Sequence, residues 1–97
     1  MTQTGMARDN SLTLSGASQV ALPLNGNRQF LLIENTGSAA IGVNYSGAGA
    51  AGGVAAIGGA GTETLAPSAK TTFDHWTPQN AVNVIGTAGQ PVTIIEG

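Results

Sequence analysis

Asp74 and His75 are neighbours in the chain, with Thr71, Thr72 and Thr77 close by and serines scattered elsewhere. These are the residue types of a hydrolytic triad. Such a triad needs its base within hydrogen-bond reach of a nucleophile, and donors aimed at an oxyanion. Neighbours in an extended segment point to opposite faces. No Gly-x-Ser-x-Gly elbow occurs in the sequence. His75 is the only histidine, so a metal site would need distant carboxylates or symmetry mates of His75 around an oligomer axis. Gly47-Ala48-Gly49-Ala50-Ala51-Gly52 spells the dinucleotide pattern GxGxxG. That pattern works only between a strand and a helix, and here more glycine follows. Asn44-Tyr45-Ser46 matches a glycosylation acceptor. Without a secretory signal it carries no weight. The expectation is no catalytic residue, no metal and no cofactor.

The composition points elsewhere. Three basic and five acidic residues are the only charges in 97 residues, a share of 8%. An ordinary domain carries about a quarter. Fifteen glycines and fifteen alanines are present, and no cysteine, so disulfides and thiolate zinc sites are excluded. The length fits one domain with a thin core, and oligomerisation is the remaining means of reinforcing it. Arg8, Arg28 and Lys70 are too few and too scattered to neutralise a nucleic-acid backbone. No apolar run reaches the length of a membrane span, and Met1–Asn10 lacks the apolar stretch of a signal peptide. A surface this poor in charge reads as one largely covered by neighbours.

The elements follow from period-two alternation. Residues 1–10 read as a flexible arm and residues 11–97 as a single domain. Leu12 and Leu14 alternate with Ser11 and Thr13. Val20, Leu22 and Leu24 follow the same rule, with Pro23 marking an edge strand. Asn25-Gly26 then predicts a tight hairpin turn with positive φ. Arg28–Glu34 is apolar on both sides, as is Ala81–Ile85, so each must be covered on both. Ile41–Tyr45, Thr62–Leu65, Lys70–Phe73 and Val92–Ile95 supply the remaining strands. Ser46–Gly61 is almost entirely Gly and Ala, apart from Val54 and Ile57. Its glycines oppose a helix, which leaves an uncharged loop that packs against neighbouring backbones. Short strands with regular turn signals predict an all-β fold, an antiparallel β-sandwich or a small jelly-roll-like barrel.

From Arg28 onward the chain resembles a group of small bacteriophage virion structural proteins, of the capsid-decoration or head-fibre-base kind. The resemblance is carried by Arg28-Gln29-Phe30-Leu31-Leu32-Ile33-Glu34-Asn35, Ile41-Gly42-Val43-Asn44-Tyr45, Leu65-Ala66-Pro67 with Phe73, Asn80–Gly86 and Val92–Gly97. It covers most of residues 11–97. Similar proteins often place glycine after the proline of the Leu-x-Pro turn. This chain has Ser68 there, and a positive φ would be disfavoured at serine.

The resemblance implies a shell-decorating or cementing subunit on the capsid surface, made in the host cytoplasm. It would self-associate, as a trimer, and bridge the major capsid protein or another virion protein, with neither nucleic acid nor membrane as partner. A head–tail joining or fibre-base component is the neighbouring reading. A small carbohydrate-binding module using Trp76 and Tyr45 is the reading from another class. The interface candidates are Phe30, Leu31, Ile33, Val54, Ile57, Trp76, Ile85 and Ile95, together with the arm and the 46–61 loop.

Overall fold

The computed structural model describes residues 7–97. Residues 1–6 of the expected arm lie outside that range. Nine strands follow in chain order: β1 (Arg8–Asp9), β2 (Leu12–Thr13), β3 (Gln19–Leu22), β4 (Leu31–Asn35), β5 (Ile41–Asn44), β6 (Glu63–Leu65), β7 (Lys70–Phe73), β8 (Val82–Ile85) and β9 (Pro91–Glu96). They build two antiparallel sheets. The first runs β1-β9-β4-β7, with β2 also on β9; the second runs β3-β8-β5-β6. No strand belongs to both, and the arrangement is sandwich-like. The sheet begins at Arg8, where Arg8 and Asp9 pair with Glu96 and Ile95, earlier than Ser11.

One apolar core lies between the sheets. Leu31, Ile33, Val92 and Ile94 come from the first sheet. Leu22, Ile41, Val43, Leu65, Val82 and Val84 come from the second, and Leu14 closes one side. The register explains the choice. Leu31 and Ile33 oppose Glu96 and Ile94 on the inner face, while Leu32 and Glu34 oppose Ile95 and Thr93 on the outer one. The accessible surface, 5160 Å², is about what a folded monomer of this mass exposes.

Two readings of the β3 region are corrected. Asn25-Gly26 does not close a hairpin, because β3 and β4 lie in different sheets, and Gly26 is not among the positive-φ residues. Asn25 Oδ1 instead accepts from the Asn27 amide at 3.0 Å, and the chain crosses between layers. The alternation of Val20, Leu22 and Leu24 is broken by a register shift between Val20 and Leu22. Leu22 is buried, whereas Val20 and Leu24 are about half exposed.

Six of the eight connections pass from one sheet to the other, and buried polar side chains hold crossings at both ends of β4. Arg28 sits at the β3–β4 crossing with its side chain fully enclosed. Its Nε donates to Glu96 Oε2 at 2.8 Å. Nη1 donates to the carbonyls of Pro78 and Asn80 at 2.7 and 2.9 Å, and Nη2 to that of Pro23 at 2.9 Å. One guanidinium therefore ties the β3–β4 and β7–β8 connections to the end of β9. Asn25 Nδ2 adds a bond to Glu96 Oε2 at 3.0 Å. At the far end of β4, Asn35 is wholly buried. Its amide donates to the carbonyls of Ala39 and Leu65 at 2.8 and 3.0 Å, and its Oδ1 accepts from Gly37 at 3.0 Å. The turn that follows β6 packs here, with the Ser68 amide on the Asn35 carbonyl at 2.9 Å. Ser68 adopts φ 70°, the only positive φ of a non-glycine residue among the described ones. The turn keeps the left-handed geometry that serine disfavours, because this hydrogen bond and the β4–β7 pairing fix it.

Burial pushes the Glu96 carboxyl up, but the Arg28 and Asn25 hydrogen bonds and the charges of Arg28 and Arg8 outweigh it, leaving it below the ordinary range. Because the folded value is lowered, the ionised pair's contribution is complete above the ordinary glutamate range. It is lost as pH falls through the lowered folded value. Arg28→Leu strands Glu96 and is expected to cost about 3–5 kcal/mol in urea unfolding at neutral pH. Glu96→Gln is expected to be less stable than the parent at pH 7, with the two urea midpoints converging in strong acid; a gap independent of pH contradicts the pairing. Ser68→Gly relieves left-handed strain at the expense of unfolded-chain entropy, and is expected to gain roughly 0.5–1 kcal/mol, read as a higher midpoint at unchanged slope.

Candidate interaction surface

The outer face of the second sheet carries Asn44 and Asn83, which are paired across β5 and β8. Both are buried, which an outward-facing amide on an open sheet would not be. The cover is the Gly/Ala loop. Asn83 Nδ2 donates to the Ala51 carbonyl at 2.9 Å, Asn44 Nδ2 to that of Val54 at 3.2 Å, and Asn80 Nδ2 to that of Gly47 at 3.0 Å. On the β3 side, Ser18 Oγ accepts from the Ala55 amide at 2.9 Å, and Ala55 is buried. The loop thus lies on the chain's own sheet, satisfying its backbone with side-chain amides. Expected contacts with neighbouring backbones are made within the molecule.

Glycine is required where the loop closes. A Cβ on Gly47 would overlap the Gly53 backbone, and one on Gly53 would stand 2.7 Å from Asn44 Nδ2. The turns also use positive φ at Gly49, Gly52, Gly58 and Gly61. The GxGxxG run therefore leads into turns packed on a sheet, with no helix after it. Asn44 of the Asn-Tyr-Ser sequence has its amide engaged and its Oδ1 accepting from Ser46, so it is no open acceptor.

Of the charged side chains, only Glu63 belongs to the second sheet. No charge stands between Glu34 and Glu63, between Asp9 and Arg28, or between Asp74 and Glu96. The sheet and its loop therefore present an uncharged face. Val54 is 77% exposed there, Val20 50% and Ile57 52%. Ile57 and half-buried Ile85 lie over Gly42, whose missing side chain makes room for them. The other candidates divide. Leu31 and Ile33 are completely buried in the core and are withdrawn as interface residues, because β4 turns that row inward. Phe30 and Ile95 are half-buried, and Ile95 lies beside Leu32 on the opposite outer face. Val20, Leu24 and Leu32 were not among the candidates. The bulge hid the first, and the register was needed to say which row of β4 faces out.

A second feature closes the end of the sandwich where β4 begins. Trp76, 63% exposed, stacks on Phe73 with centroids 5.4 Å apart and planes at 18°. Phe73 meets Tyr45 edge-on at 5.0 Å. Tyr45 donates to Glu63 Oε1 at 3.2 Å; burial, then the Glu63 charge and this bond, push its phenol up. Asp74 and His75 are exposed in the same segment. Among the described residues, no group of three or more His, Asp or Glu side chains converges to hold a metal. No protein-family model, curated protein or solved structure matches the chain.

The loop's attachment is testable by contrast. Gly47→Ala is expected to destabilise by about 1–3 kcal/mol through overpacking and to speed amide hydrogen exchange across β5 and β8. Gly26→Ala, which meets nothing within 4 Å, is expected to leave both unchanged. Equal behaviour of the two variants contradicts a loop seated on the sheet.

Proposed function

We propose that this chain is a structural subunit of a bacteriophage particle, decorating or cementing the shell by bridging neighbouring shell subunits and associating with copies of itself. The observation that carries the reading is the uncharged outer side of the second sheet, where Val20, Val54 and Ile57 are exposed without a single ionic group. Covering that face desolvates no charge, so the apolar gain of about 25 cal/mol per Å² is not spent on ionic dehydration. Association still costs several kcal/mol, and repeated identical contacts on a symmetric shell offset it. The resemblance of Arg28–Asn35, Ile41–Tyr45 and Asn80–Gly86 to small virion proteins directs the proposal to a phage particle.

The test combines light scattering with co-sedimentation on shells of the particle that carries this chain. The parent is expected to self-associate and to pellet with the shells. Val54→Glu, at a side chain 77% exposed, is expected to weaken both by at least about tenfold, or 1.4 kcal/mol, with unchanged thermal stability. A parent that stays monomeric and does not bind shells overturns the proposal.

A further inference from the structure

We infer that the open face of Trp76, with the recess beside it, is a binding site for a neutral pyranose sugar. One face of the indole is occupied by Phe73, the planes lying 18° from parallel. The residue as a whole is 63% exposed, so Phe73 leaves much of it open to a ligand. The ring is not a loose surface side chain. Phe73 is held edge-on by Tyr45, and Tyr45 is anchored through its hydroxyl to Glu63. The row therefore runs from β7 in the first sheet to β5 and β6 in the second. A platform already fixed in place loses little side-chain freedom when a ligand lands on it.

Beside the platform is an open recess of about 260 Å³, lined by Thr72, Phe73, Asp74, His75 and Trp76. This is below the usual range for drug-sized ligands and suits one small ring. Its lining combines two aromatic rings, Phe73 and Trp76, with the polar side chains of Thr72, Asp74 and His75. An ionised carboxylate accepts only, a hydroxyl donates and accepts, and an imidazole does either. A pyranose has the matching form: C–H bonds on a flat face for the electron-rich indole, and hydroxyls around its edge for Asp74, His75 and Thr72. Anions fit poorly, because the rim holds Asp74 and no cation lines the recess. Arg28 is enclosed in its own pair and Arg8 faces Glu96; Lys70, on the same row of β7 as Thr72, is not among the lining residues.

The site lies apart from the uncharged face of the second sheet, so its fate and that of the assembly reading are decided separately. Trp76 is the only tryptophan, and its emission reports the recess directly. The experiment titrates the full chain with maltotriose, cellotriose and tri-N-acetylchitotriose, alongside saturation-transfer NMR observed on the sugar. At least one trisaccharide is expected to give a saturable emission change and a transfer signal. Asp74→Asn is expected to weaken binding about tenfold. Trp76→Ala is expected to abolish the transfer signal while retaining the parent's circular dichroism. If Trp76→Ala does not fold, Trp76→Phe takes its place, with an expected loss of at least tenfold. The inference is overturned if none of the three sugars saturates the parent, or if binding is undiminished in Trp76→Ala (in Trp76→Phe where the alanine variant does not fold). It is equally overturned if choline saturates the site where sugars do not, which marks a cation site. An emission shift that follows protein concentration alone, marking a self-contact, has the same consequence.

Discussion

The buried guanidinium of Arg28 is the constraint on which the two-layer arrangement rests. A sandwich whose chain repeatedly changes layers has many crossings and few local hairpins. Each crossing leaves backbone carbonyls near the end of the core, where water is scarce and an unpaired acceptor is costly. Arg28 answers four groups from three separate segments with one planar fork. Lysine could not reproduce that pattern from a single point of charge. The arginine is tolerable inside because Glu96 balances it and every buried side-chain polar atom among the described residues has a partner. Asn35 does the same work with a neutral amide at the opposite end of β4. The central strand of the first sheet is thus bracketed by two polar locks, and the apolar residues between them pack into a position already set. Neither lock is large, but both are buried, so the loss of either leaves several orphaned groups rather than one.

The Gly/Ala loop solves a different problem. β5 and β8 are apolar toward the core and would expose Gly42, Asn44, Asn83 and Ile85 on the other side. A charged surface would normally cover the need. This chain instead folds its own loop over the sheet and connects it by asparagine amides. Small residues permit the close approach, since a Cβ at Gly47, Gly52 or Gly53 would meet backbone or amide atoms at 3.0 Å or less. Packing therefore requires small residues at Gly47, Gly52 and Gly53, whereas Gly49 and Gly58 stand in open space and serve the turns through their positive φ.

The strands were legible because alternation survives in short segments: all those expected after Ser11 are found within two or three residues of their observed limits. What alternation does not encode is which sheet a strand joins. Asn25-Gly26 is compatible with a hairpin, and only the enclosure of Arg28 shows that the chain crosses there instead. Arg28 itself reads as a stray surface cation, since nothing in its neighbourhood announces Glu96 at the other end of the sequence. Segment 28–34, apolar on both sides, predicts cover on both; the core encloses Leu31 and Ile33, while Phe30 and Leu32 are only half-buried, and the sequence does not say which row turns inward. Asn44 and Asn83 did carry a signal: amides interrupting two apolar strands, in a chain with an uncharged glycine-rich loop, are the donors such a loop needs. Trp76 is open to both core and surface readings; at 63% exposed it lies outside the core and reaches it only by stacking on Phe73.

The accessible area is that of an ordinary closed monomer, so scarcity of charge cannot be explained by an unfinished core. It shows instead in how the few charges are distributed over the surface. Charges gather on the first sheet and its edges, at Arg8, Asp9, Glu34 and Lys70, and leave the second sheet with Glu63 alone, itself bonded to Tyr45. A uniform shortage would weaken solubility everywhere; a one-sided shortage keeps one face well hydrated and makes the other cheap to cover. The same division separates the uncharged face, which carries no aromatic side chain among the described residues, from the proposed saccharide site. It falls naturally at the end of the sandwich, where the aromatic row meets Asp74 and His75 and where a ligand would leave the uncharged face free.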